Sequence, residues 1–240
     1  ERCYIIETLT SGPITPTTLE RYDVFVIPQA HYDYASDELS AIQDFVLNGG
    51  GLLVIGDDSP WIYTSLTSFA GIGWEWGGYY GYTSDITPHP VTEGVATAYF
   101  DSPGRLYVSS PAIDLIRDRY RNIMLAASEV GLGKVLGIAD EHSVIDGYIG
   151  FADNLRLANN MIDWLLPYQH ELMVTLDAPA CLDLGSSVQL NATVQNKGLN
   201  NETNVELYLL INETVVSHVT IPELLVRQSH TINHLWTQTQ

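Results

Sequence analysis

Lysine is nearly absent from this chain: Lys134 and Lys197 are the only two in 240 residues. Ten basic residues stand against 29 acidic ones, giving a formal net charge of −19 and a pI near 4.4. That balance argues against a nucleic-acid partner, because affinity for phosphate needs clustered Lys and Arg. An acidic, lysine-poor surface suits a salty medium or divalent cations, or simply solubility. Cysteine is as scarce, with only Cys3 and Cys181. Their spacing asks for no bridge, and no neighbouring base marks either as a nucleophile, so both read as inert thiols. No apolar run approaches the roughly 18 to 20 residues needed to span a bilayer. The chain opens at Glu1 without initiator Met or signal peptide and closes at Gln240 straight after a strand-like run. We read it as a piece of a longer polypeptide.

What is present is enough apolar residue, 45%, for a real core. The stretch from Asn48 to Pro60 organises the first part. A helical pattern runs into Gly49-Gly50-Gly51, four apolar residues follow, and an acidic Gly-Asp-Asp-Ser-Pro turn closes it. A short apolar run between turn signals reads as a strand buried on both faces, and Gly49 suits a left-handed helix cap. Residues 22–28 predict a second buried strand, and residues 3–7 a short one. Ser36 is the expected N-cap of a helix to Asn48 with Leu39, Ile42 and Val46 inward. Strand, helix and strand within about 30 residues make a βαβ unit with parallel pairing. Further strands are expected at 105–109, 122–127 and 133–140, the last ending in acid, with a last helix capped by Asp153. Residues 61–82, crowded with Trp and Tyr and lacking clean periodicity, read as a long loop or an irregular insertion at the top of the sheet.

The pattern changes near Tyr168. Polar and apolar residues alternate over 172–176, 187–194, 205–211, 215–221 and 229–235, separated by Asn/Gly-rich turns. Strands at such spacing without helices predict an antiparallel sandwich. The three Asn-x-Thr sequons, at Asn191, Asn201 and Asn212, all fall here. They point to a glycosylated surface domain.

The motifs form a family pattern in their order: 22–28, the helix into Gly49–Asp57, His89-Pro90-Val91-Thr92-Glu93-Gly94-Val95, Gly131–Asp140, Asp153-Asn154 and the helix over 160–165. The set resembles the class I glutamine amidotransferase-like superfamily, closest to its non-catalytic gliding-motility, intraflagellar-transport and ThuA-like branch. Leu190–Gly198 resembles a CARDB-type module, an immunoglobulin-like sandwich common on bacterial and archaeal cell-surface proteins. The resemblance implies α/β architecture over residues 1–167: a flavodoxin-like, mostly parallel sheet with helices on both faces, lacking its first strand and helix. A smaller all-β immunoglobulin-like sandwich over 170–240, truncated at its C-terminus, is implied to follow. Catalytic amidotransferases carry a Cys at the turn after the central strand. Here Asp57 and Asp58 hold that turn, so no thiol nucleophile carries over.

In open α/β sheets, ligands gather past the carboxyl ends of the strands. Asp57, Asp58 and His142 are the candidate acid/base groups, with Glu75 or Asp140-Glu141-His142 brought in by the fold. Asp57, Asp58 and Asp140 are the candidate metal ligands, and capping of turns and helices is the competing role for all of them. Ser59 is a nucleophile only with a base in reach, from His31, His89 or His142. His89, between two prolines, reads as structural. Trp61, Trp74, Trp76, Tyr79 and Tyr80 form a candidate sugar-stacking surface, with burial as the competing role. The resulting expectation is a non-enzymatic binding or scaffolding region of an extracellular or cell-surface protein, with a glycan or protein partner and no cofactor. The alternative is a hydrolase or transferase using the carboxylate-lined strand ends.

Overall fold

The computed structural model describes residues 4–57, 59–101, 104–166, 171–179, 181, 183–198 and 200–237. The chain divides into two compact units, Glu1–Leu166 and Pro167–Gln240.

In the first unit the order is α1 (Pro16–Leu19), β1 (Val24–Pro28), α2 (Ser36–Leu47), β2 (Gly51–Ile55), α3 (Pro60–Thr67), β3 (Ile72–Glu75), β4 (Gly81–Thr83) and β5 (Asp85–Ile86). Then come β6 (Ala98–Phe100), β7 (Arg105–Val108), β8 (Ile113–Arg117), β9 (Ile123–Val130), β10 (Gly133–Ile138) and α4 (Asn154–Leu165). The main sheet runs β1-β2-β10-β9-β7-β3, with β8 also on β9 and β5 on β8. Every residue of β2 and β10 is buried, as the apolar runs predicted. Burying side chains such as Leu52, Val54, Leu136 and Ile138 contributes roughly 1.5–3 kcal/mol each.

The expectation of a mostly parallel sheet holds only for the end formed by β1, β2 and β10. β1, β2 and β10 are parallel, whereas β9, β8, β7, β5 and β3 pair antiparallel. The cause is connection length. Only Gly131 and Leu132 join β9 to β10, and a parallel crossover needs a dozen residues or more. Gly131 takes φ +65°, which a tight reversal of this kind requires.

Three local expectations change. Ala35, not Ser36, is the N-cap residue of α2, and the Glu38 carboxylate reaches back to accept the N–H of Ala35 and of Ile14, both at 3.0 Å. Residues 4–7 form no strand, and Ile5 and Ile6 are exposed. The 61–82 stretch is not a loop but holds α3 and β3, with Ile62, Tyr63 and Leu66 facing inward.

The second unit contains β11 (Leu172–Asp177), β12 (Ser187–Asn196), β13 (Glu202–Ile211), β14 (Thr214–Leu224) and β15 (Ser229–Thr237). One sheet is β11-β12-β15 and the other β13-β14, all antiparallel. Leu190, Ala192 and Val194 of β12 share one apolar cluster with Val205, Leu207 and Leu209 of β13 and with Ile221, Leu224 and Ile232. The alternation read from the sequence is the inward face of a β-sandwich-like region.

Candidate functional site

Register explains the site. β2 and β10 are parallel with Ile55 opposite Ile138, and the Gly56 N–H reaches the Ile138 carbonyl at 3.0 Å. Asp57 and Asp140, each two residues beyond its strand, therefore stand level at one end of the sheet. A short 3₁₀ turn, His142–Val144, folds the chain back over Asp140. One donor atom from each of Asp57, Asp140 and His142 lies within 4.8 Å of the others.

Asp140 is wholly buried. Its Oδ2 accepts the N–H of Asp101 at 2.7 Å and its Oδ1 that of His142 at 3.0 Å, which fixes the carboxylate in place. Its Oδ1 also lies 3.4 Å from His142 Nδ1. Burial pushes the Asp140 carboxyl up from 3.8 to about 6; the two N–H donors and His142 oppose that rise, and Asp57 adds to it.

An aromatic wall adjoins the cluster. The His142 ring meets Tyr148 edge-on at 5.5 Å, and Tyr148 stacks near-parallel on Tyr99 at 5.9 Å. Phe151 sits edge-on to both, and exposed Tyr82 leans on Tyr99 at 4.9 Å. The Tyr99 hydroxyl donates to Asp101 at 3.1 Å. The Asp101 charge is the largest cause raising the Tyr148 phenol above its ordinary value. Tyr99, Asp101, Tyr148 and Phe151 were not singled out from sequence. The available signal was Tyr99-Phe100-Asp101, a third strand ending in acid like Gly56-Asp57 and Ala139-Asp140.

The other sequence candidates scatter. Trp74 is only 3% exposed, packed against Tyr63 and lying where a Cβ on Gly137 would be. It is core and leaves the stacking surface. Trp61, Trp76 and Tyr80 are exposed. Tyr79 stacks on Tyr80 and meets Tyr120 edge-on, with Arg119 over Tyr79 and Tyr120. Glu75 is engaged by Arg105 at 2.9 Å. His89 accepts the Val91 N–H and packs on Trp164, and burial lowers its pKa. Ser59 is the N-cap residue of α3, and His31 is exposed. Asp58 and Cys3 lie outside the described residues; Cys181 is a free, exposed thiol.

Among the sequons, Asn212 is exposed in the Asn212-Glu213 turn, where both residues have positive φ. Asn201 is exposed just before β13, and Asn191 is half-buried on β12. No helix among the described residues is long and apolar enough to cross a membrane.

Residues 169–240 match the CARDB family model. That match covers the second unit and agrees with the reading of Leu190–Gly198. No curated protein matches the chain. Among solved structures, the mmIFT52 N-terminal domain aligns with a TM-score of 0.57 at 17% identity, covering 64% of this chain and 81% of that one. Cytoplasmic Protein STM1381 from Salmonella typhimurium LT2 aligns with a TM-score of 0.51 at 17% identity, covering 65% and 76%. Cytoplasmic Protein STM3548 from Salmonella typhimurium gives 0.50 at 17%, covering 66% and 77%. At such identities the likeness is one of fold. It is the fold that the motif order between residues 22 and 165 resembles.

Proposed function

We propose that this chain is a non-enzymatic recognition region of an extracellular surface protein. The α/β domain expected over residues 1–167 binds a glycan at the carboxyl ends of β2 and β10, and the CARDB-like domain expected over residues 170–240 serves as spacer. One observation carries the reading: the ring wall from Tyr82 through Tyr99 to Tyr148 and Phe151, which ends at His142 and the carboxylates. Aromatic faces take the apolar faces of pyranose rings through contact area, while carboxylates accept their hydroxyls. The CARDB match, the exposed Asn201 and Asn212 sequons and the net charge of −19 support a surface location. A flavodoxin-like arrangement with helices on both faces is supported by neighbours on β10. A Cβ on Gly133 would meet Val46 of α2, and Lys134 bonds the carbonyl of Trp164 of α4.

The test is a glycan array probed with the whole chain, then with Tyr82→Ala and Tyr148→Ala. Wild-type binding to a defined set of sugars, lost in both variants, is the expected result. A silent array, or binding intact in both variants, removes the glycan reading.

A hydrolase or transferase is the second reading, favoured by the approach of Asp57, Asp140 and His142 to within 4.8 Å. In it Asp140 orients His142 and Asp57 serves as acid or base. Release of a chromogenic leaving group from aryl glycosides or esters, abolished by Asp57→Asn, would establish it. Wild-type release no faster than that of Asp57→Asn would remove it.

A further inference from the structure

We infer that Asp57, Asp140 and His142 form a binding site for one divalent transition-metal ion of the Zn²⁺ or Mn²⁺ type. The first ground is geometry. Two ligands on one ion at about 2.1 Å are at most about 4.2 Å apart. Here all three donors lie within 4.8 Å of one another before any ion draws them in, so small side-chain rotations close the set.

The second ground is the His142 nitrogen that makes no hydrogen bond. His142 Nδ1 is shut off from solvent and makes no hydrogen bond, although its ring is part-exposed. A buried imidazole nitrogen that makes no hydrogen bond, with only the Asp140 carboxylate near it at 3.4 Å, costs free energy, and a metal ion accepts its lone pair. Asp140 supplies the third ground. Its two backbone donors occupy one lone pair on each oxygen and leave the others for a ligand. Such outer-shell bonds are the usual support of a metal ligand. A wholly buried carboxylate beside a second carboxylate is also a poor arrangement for the bare protein, and a cation reverses its sign.

Donor type selects the metal. One imidazole with two carboxylates suits Zn²⁺ or Mn²⁺ better than Ca²⁺, which takes six to eight oxygens. With three protein ligands, further positions on the ion stay open for water or an incoming hydroxyl.

The inference stands apart from the glycan reading, because its probe is the metal alone. The EDTA-stripped full chain is titrated calorimetrically with Zn²⁺ and Mn²⁺, beside Asp57→Asn, His142→Gln and the surface control His31→Gln. Circular dichroism of each metal-free variant checks that it is folded. We expect one ion per chain, with affinity unchanged in His31→Gln and weakened about tenfold or more in the other two. Absence of saturable binding in the wild type overturns the inference, as does wild-type affinity in folded Asp57→Asn and His142→Gln. A loss in His31→Gln equal to theirs places the ion elsewhere and overturns it too.

Discussion

The Nζ of Lys134 donates to the carbonyl of Trp164 at 2.9 Å and lies over the Trp164 ring at 5.5 Å from its centroid. A second carbonyl, that of Leu166, lies at 3.4 Å. Carbonyls at a helix end have no partner within the helix, and cations are favoured at that end. One of only two lysines in the chain thus joins β10 to the end of α4, with 6% of its surface exposed. Lys134→Met keeps most of the apolar stem but leaves those carbonyls short of a donor. We expect a loss of about 1–3 kcal/mol in urea denaturation of the whole chain.

Asp140 sets a pH dependence. Its carboxyl titrates at about 6 in the fold and at about 3.9 in an unfolded chain. The fold therefore prefers the protonated form. The stabilisation is fully present below about pH 3.9 and is lost as pH rises to about 6, amounting to roughly 3 kcal/mol across that window. In the metal-stripped chain, stability of the wild type relative to Asp140→Asn falls between pH 4 and 6 and is flat above. Denaturation curves at half-unit pH steps measure it; a difference independent of pH contradicts it.

Asp118 anchors the second group of tyrosines. It is 3% exposed and accepts from the backbone N–H of Tyr79, Tyr120 and Asn122 and from the Asn122 side chain. Asp118→Ala strips all four bonds, at a cost of about 2–4 kcal/mol. Hydrogen exchange should show the amides of residues 78–82 opening well before those of β2 and β10.

In the second unit the comparable residue is Asn196, fully buried at the end of β12. Its amide donates to the carbonyls of Asn200 and Leu224 at 2.8 and 2.9 Å and accepts the Gly198 N–H at 2.9 Å. Asn196→Ala removes all three of these bonds, including the buried one to the Leu224 carbonyl. A loss of about 2–4 kcal/mol is expected, read as faster exchange across β12 and β14.

Much of this fold was legible because its strongest signals are local. The apolar runs of β2 and β10, the stripe of α2 and the alternation of β12 and β13 each state their burial within ten residues or so. α3 escaped because aromatic residues mask its period; Trp61 faces out while Ile62, Tyr63 and Leu66 face in. The acidic strand ends at Asp57 and Asp140 were readable one at a time, and His142 followed from its nearness in sequence. The aromatic wall was not. Tyr99 and Asp101 reach the cluster only through β6, and no local pattern says where a three-residue strand will dock. The antiparallel half of the sheet escaped in the same way, since only the two-residue link before β10 announces it.

Chain order and sheet order disagree at β10, which wedges between β2 and β9 although it is the last strand of its sheet to emerge from the ribosome. Until Gly133–Ile138 arrives, a nascent polypeptide holds β2 with one rim of peptide groups uncapped and its greasy side chains awaiting cover. Closing that gap joins segments far apart along the chain, which is slow, and unpaired strand rims invite other chains to dock. Synthesis of this protein thus carries a window of exposure in which chaperone help matters most, and it shuts only once the sixth residue of β10 is in place.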